Sequence, residues 1–301
     1  MRVAVFRASR RVARLLGYDL VPRTIYTPIP ELPAAGAEIW TRPPALVGLE
    51  LDPAKHLEFL RAELKPFLSE FDPPSRPQSE EGFHLWNGYY QSVDAEVLYA
   101  MVRYLRPRRV LELGSGYSTL VTAAACLRNA AEGTSAEFTA VDPTPRIPVS
   151  SPGLTRLERS RAEELPLEHF LELEERDVLF VDSSHVVKLG GEVNFLVLEV
   201  LPRLRPGVAV HFHDVFWPYE YPRAWYVRGT YATEQYLLQA FLLGNRDYEI
   251  LFAAHAVARA HRAELEDVIP SLRERADHHP AALWLRRRPV EGGSRRVERG
   301  P

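Results

Sequence analysis

The chain has 301 residues and a single cysteine, Cys126. That excludes an internal disulfide and leads us to expect a reducing, cytoplasmic compartment. Lysine is almost as scarce. Lys55, Lys65 and Lys188 are the three present, so arginine carries nearly all the positive charge, a bias we read as that of a GC-rich genome. The formal net charge is −3, so the chain as a whole lacks the basic field that a nucleic-acid partner would require. No apolar run approaches the ~20 residues needed to span a bilayer, and the first residues lack the unbroken apolar core of a secretory signal. What remains is ordinary globular material, 46% hydrophobic and 26% charged. At about 150 residues per domain, the length allows one large domain and an appendage.

The N-terminus is basic and amphipathic. Arg2, Arg7, Arg10, Arg11 and Arg14 interleave with Val3, Val5, Phe6, Val12, Leu15 and Leu16. The plainer expectation is a helix packed on its own domain; the alternative is a peripheral membrane contact along the apolar face. Residues 20–48 are proline-dense and read as extended, around Tyr26-Thr27-Pro28-Ile29-Pro30. Leu57, Leu60, Leu64 and Phe67 then fall at helical spacing over residues 53–71. Asp72-Pro73-Pro74-Ser75-Arg76-Pro77 breaks the chain, and the appendage is expected to occupy residues 1–90.

From residue 91 to 288 short apolar strands alternate with helices. Asp94 is the expected N-cap of a helix ending before Pro107. Strands are expected at 109–113, 137–142, 155–159, 177–182 and 208–214, with helices between them and another at 233–243. Two apolar runs, 248–257 and 281–285, close the domain. The order predicts an α/β fold: a Rossmann-like, mostly parallel seven-stranded sheet with an antiparallel edge and helices on both faces. Residues 289–301 are expected to be a disordered tail.

The most informative segment is Val110-Leu111-Glu112-Leu113-Gly114-Ser115-Gly116-Tyr117-Ser118-Thr119. An apolar run, an acid and two glycines one residue apart describe a strand turning sharply into a helix. Gly114 and Gly116 are expected to use backbone angles closed to other residues and to let a ligand approach the main chain. The dinucleotide fingerprint wants a third small residue where Thr119 stands. Asp142 ends the next strand, 26 positions past Gly116, about where a Rossmann-type acid reaches ribose hydroxyls. Together these point to a nucleoside cofactor without a pyrophosphate.

With these residues the chain resembles the class I S-adenosylmethionine-dependent methyltransferases over roughly residues 90–288. The resemblance implies S-adenosylmethionine as cofactor, with Glu112, Gly114, Ser115, Gly116 and Ser118 lining its methionine end. It also implies that Asp142 holds the ribose and that the loop at Arg161 lies near adenine.

A second cluster stands at two further strand ends, Asp182-Ser183-Ser184-His185 and His211-Phe212-His213-Asp214. Two facing carboxylates repel unless a proton, an arginine or a cation compensates, and carboxylates with an imidazole suit Mg²⁺ or Mn²⁺. The Asp-x-x-His spacing is similar to that of metal-dependent O-methyltransferases of sugars and natural products. That similarity implies Asp182, His213 and Asp214 as metal ligands, Asp182 also beside the cofactor, and His185 as the base. His211 and His213 share a face of their strand and Asp214 the other, so all three cannot point inward unless the strand has ended.

The aromatic stretch Phe216-Trp217-Pro218-Tyr219-Glu220-Tyr221, with Trp225 and Tyr226, is expected either to contact an acceptor or to pack beneath the appendage. Tyr26, Trp86, Tyr89 and Tyr90 would close over the cofactor, and Lys188, Glu192 and Asn194 are candidate acceptor contacts. The sequence thus reads as a methyltransferase of a small-molecule or glycan-precursor hydroxyl, with no nucleic acid, and with a homo-oligomer as an open expectation. The alternatives are a metal-independent methyltransferase of another nucleophile, an NAD-dependent oxidoreductase, and a non-catalytic nucleoside-binding protein.

Overall fold

The computed structural model describes residues 2–21, 27, 29–34, 36–79, 82–145 and 151–288, with the side chains of residues 2–8 not described. Tyr26 and the expected tail at 289–301 lie outside them. Helix α1 spans Arg2–Leu15. It leaves Val12, Leu15 and Leu16 58%, 81% and 69% exposed, so these side chains do not pack on the domain. No helix among the described residues is long and apolar enough to cross a membrane.

Helix α2 (Pro53–Phe59) starts at Asp52, whose carboxylate accepts the Ala54 and Lys55 N–H groups, and widens by a π-turn into α3 (Lys65–Leu68). Leu57, Leu60 and Leu64 point into one buried cluster with Leu85, Tyr90 and helix α4 (Asp94–Leu105). Both sides of the proline-rich break at 72–77 therefore share a core with the sheet.

The remaining elements alternate as expected. Strand β1 (Arg109–Leu113) leads into α5 (Tyr117–Ala131), β2 (Glu137–Val141), β3 (Arg156–Glu158) and α6 (Leu167–Leu171). There follow β4 (Val178–Val181), α7 (Glu192–Phe195), β5 (Ala209–Phe212), α8 (Arg223–Val227) and α9 (Glu234–Leu242). Strand β6 (Tyr248–Ala253), α10 (Ala254–Ala260), α11 (Arg262–Val268) and β7 (Leu283–Arg287) complete the chain. The seven strands pair in the order β3-β2-β1-β4-β5-β7-β6, parallel except for β7, which runs antiparallel to both neighbours. Valine, leucine and phenylalanine fill β4 and make up β1 apart from Arg109 and Glu112, as strands covered on both faces require. Register then fixes the site. Leu113 pairs with Val141 and Val181, and Val181 with Phe212, so Gly114, Asp142, Asp182 and His213 each stand one residue beyond the same edge.

Asp94 does not cap α4. Val93 holds that position with φ +71, and Asp94 instead accepts the N–H groups of Ala281 and Ala282, tying α4 to the segment entering β7. Glu96, one turn in, accepts the Val93 N–H at 2.6 Å and the Ser271 hydroxyl. Burial pushes its carboxyl from 4.5 up to about 7, against those two bonds. The folded state therefore binds the extra proton between pH 4.5 and 7. This contribution is fully present below 4.5 and is lost as pH rises through 7. Removing the proton-binding group with Glu96→Gln should flatten that fall, by on the order of 3 kcal/mol. Urea denaturation of both proteins at pH 5 and pH 8 checks this; a wild-type-to-variant difference independent of pH would refute it.

Candidate active site

The turn after β1 is built around Gly114. Its φ is +89, and a Cβ there would lie 1.9 Å from the Asp182 carbonyl oxygen, so glycine alone lets β1 and β4 end side by side. Gly116 differs from expectation: its φ of 173 is extended backbone that any residue adopts. A Cβ there would meet no atom within 4 Å, so its main chain faces open space. Ser115 donates from both N–H and Oγ to Asp142 Oδ2, each at 2.9 Å, and the Thr144 N–H donates to Oδ1 at 2.8 Å. Three of about four acceptor positions on Asp142 are thereby used, and one on Oδ1 remains.

Glu112 lies under this turn, fully buried. Its Oε1 accepts the Ser118 hydroxyl at 2.6 Å, while Oε2 is buried without a partner. Burial pushes its carboxyl up to about 8, against the bond from Ser118. Ser118 thus points inward at Glu112. Arg161 is exposed on the loop after β3, with Glu163 3.8 Å away.

On β5, His211 is a core residue. It is fully buried, stacked 4.4 Å from Phe180 and 4.8 Å from Trp284, with the Tyr90 hydroxyl at 3.4 Å. Burial, then the neighbouring His213, holds it well below the usual imidazole value. The alternation problem is solved by the end of the strand. β5 stops at Phe212, and Asp214 adopts φ +59, which swings its carboxylate back beside His213. His213 Nδ1 stands 3.5 Å from Asp182 Oδ2 and 3.5 Å from Asp214 Oδ2, and its Nε2 faces Asp94 at 3.5 Å.

His185 completes the cluster, also in the left-handed region at φ +58. Its Nε2 lies 3.3 Å from Asp182 Oδ1 and 3.5 Å from Asp214 Oδ2, and its Nδ1 lies 2.9 Å from Glu234 Oε2. Among the described residues, Asp182, His185 and Asp214 form a set that could hold a metal ion, with ligand atoms all within 4.8 Å of one another. Burial disfavours every charge here, yet the carboxylates around His185 and His213 hold both rings well above the usual imidazole value. Burial likewise pushes Asp182 upward, but His213 and His185 hold it well below the usual carboxylate range. The negative charge is thus compensated by imidazolium protons.

The aromatic stretch is largely interior. Phe216, Trp217 and Tyr221 are buried, and Tyr226 meets Trp40 of the N-terminal segment at 6.1 Å. Trp225, half-buried, reaches the site, its ring 6.2 Å from that of His185. Tyr90 is buried against His213 at 4.7 Å, and the Trp86 N–H is bonded to Glu274, so neither closes over the turn. Tyr89 is 67% exposed and stacks on Tyr117 at 6.3 Å, next to Gly116. Lys188, Glu192 and Asn194 brace one loop: Glu192 accepts the Ser184 N–H, and Asn194 donates to the Lys188 carbonyl.

Glu234 and Asp94 are the two residues that sequence reasoning missed. A glutamate in the first turn of a helix and an aspartate before one are routine at helix starts. No local signal separates them from those roles.

Residues 111–215 match a family model described as a methyltransferase domain. The match runs from β1 to just past β5, the strands that carry the site. The seven-strand order with antiparallel β7 is the Rossmann-like sheet expected from the sequence. An uncharacterized protein of Archaeoglobus fulgidus is 27% identical over 124 residues, and the chain spans about half of its length, 52%. A CmcI structure without ligand aligns at TM-score 0.41 and 18% identity, over 73% of this chain and 91% of that one. An O-methyltransferase from Bacillus cereus, solved with SAH, aligns at TM-score 0.34 and 15% identity, over 80% and 93%. A CmcI structure with Mg-SAM aligns at 0.37 and 16%, over 72% and 88%.

Proposed function

We propose that this chain is a methyltransferase, which transfers the methyl group of S-adenosylmethionine to a hydroxyl of a small molecule or glycan precursor, assisted by a divalent cation, Mg²⁺ or Mn²⁺. The observation that carries the reading is the meeting of Asp182, His185 and Asp214 on the strand edge that also bears Gly114, Ser115 and Gly116. The residues fit both groups. For the cofactor there are the unpartnered Glu112 Oε2, the remaining acceptor position on Asp142 and the open space before Gly116. For the cation there are the carboxylates of Asp182 and Asp214, flanked by the imidazoles of His185 and His213.

The cofactor brings an electrophilic methyl on a sulfonium, and a bound divalent ion lowers the pKa of a coordinated hydroxyl. The chain's residues do the rest. Asp142 would accept from a ribose hydroxyl, Glu112 would face the methionine end, and the Arg161 loop would border adenine. Asp182 and Asp214 concentrate the negative charge that attracts the cation, with His185 and His213 beside them. Trp225 and Tyr89 would exclude water from the sulfonium.

Labelled methyl transfer to a panel of hydroxylated acceptors tests this reading; label on oxygen is expected, and label confined to nitrogen or carbon acceptors would refute O-methylation. Asp142→Ala removes a charged acceptor of one ribose bond, about 1.5–3 kcal/mol. Affinity for S-adenosylmethionine should fall about 10–100-fold by calorimetry. An unchanged Kd would remove Asp142 from the site.

A further inference from the structure

We infer that Glu234 is a positioning residue that turns His185 Nε2 towards Asp182 and Asp214, making His185 the third protein ligand of a divalent cation. The inference rests on the metal-assisted reading proposed above and names a ligand that this reading leaves open. Glu234 is 1% exposed, and its Oε2 accepts the His185 Nδ1–H at 2.9 Å. A metal-binding histidine commonly donates its second ring nitrogen to a carboxylate in this way, which fixes tautomer and ring orientation. When a cation displaces the second ring proton, the lone pair is left on Nε2, on the side of the two aspartates.

The backbone holds the same arrangement. The Thr233 and Glu234 N–H groups donate to the His185 carbonyl at 2.7 and 3.0 Å, and the Val187 N–H donates to Thr233 Oγ1 at 2.8 Å. The next residue anchors the start of α9 from the other side: its N–H donates to the Tyr221 hydroxyl, and its Oε1 accepts the Phe216 N–H. These bonds sustain the left-handed backbone at His185, a conformation that costs energy and clusters at functional sites.

Spacing separates a ligand from a base. Atoms about 2.0–2.2 Å from one ion stand about 3.0–3.5 Å from each other. The observed separations from Nε2 are 3.3 and 3.5 Å. A base would need Nε2 facing an acceptor, yet here it faces two carboxylates. Independently, the buried His213 Nδ1 has no hydrogen-bond partner and points at the same two aspartates.

Mn²⁺ titration of the full chain, followed by electron paramagnetic resonance, tests this. Mn²⁺ bound to the wild type should show nitrogen-14 coupling from one imidazole. His185→Ala should remove that coupling, and Glu234→Ala should weaken Mn²⁺ binding about 10–100-fold. Glu234→Gln keeps an acceptor for the Nδ1–H and should restore most of the affinity. If Glu234→Ala does not fold, Glu234→Asp, one methylene too short, carries the same expected loss. Coupling that persists in His185→Ala would assign the ligand to His213 and overturn the inference. Mn²⁺ bound to the wild type without nitrogen coupling would overturn it while leaving the metal reading intact. A wild type that binds no Mn²⁺ would overturn both.

Discussion

Gly114→Ala is expected to leave the chain unfolded at 25 °C, or folded with a Tm at least about 10 °C lower. Two costs combine. The added Cβ would lie 1.9 Å from the Asp182 carbonyl oxygen, a backbone atom between paired central strands that cannot move aside. The φ of +89 is strained for any residue with a side chain. Together these exceed about 4 kcal/mol, the range reached only by a short list of mechanisms, strain at a special φ among them. Gly116→Ala is the contrasting control, because its backbone is extended and its Cβ would enter empty space. Its Tm should barely move, while affinity for S-adenosylmethionine falls. Thermal melts of both variants decide the matter; equal losses of stability would contradict the assignment of a packing role to one glycine and a ligand-facing role to the other.

Removing divalent cations with a chelator should lower methyl transfer at least about 100-fold, since the ion supplies several kcal/mol at the reacting oxygen. Added Mg²⁺ or Mn²⁺ should restore it. Asp182 and Asp214 converge at the ends of adjacent strands, and the positive charges on hand to offset them are the protonated rings of His185 and His213. A divalent ion performs the same neutralisation and also polarises the acceptor. Asp214→Ala should lose the metal response together with turnover. Full activity in excess chelator would rule out the cation.

Periodicity made most of the sheet legible, because β1, β2 and β4 are short, largely apolar runs ended by a glycine or an acid. The expected class of cofactor rested on Gly114, Ser115 and Asp142, and the structure joins Ser115 to Asp142 by two hydrogen bonds. Side-chain direction was less legible. Asp214 reaches the cluster only because β5 stops two residues earlier and the backbone turns left-handed, which no strand pattern encodes. Long-range partners were not legible at all. Glu234 lies 49 positions from His185, and Asp94 lies 187 from Ala281, each inside an element whose local role was already explained. Tyr90 was expected over the cofactor and packs against histidines instead, since an aromatic residue carries no mark of which surface it covers.

Calorimetry with S-adenosylmethionine and with NADH in parallel tests the central claim most directly. Saturable one-to-one binding of S-adenosylmethionine and no binding of NADH is the predicted result. Tight NADH binding with none of S-adenosylmethionine would contradict it.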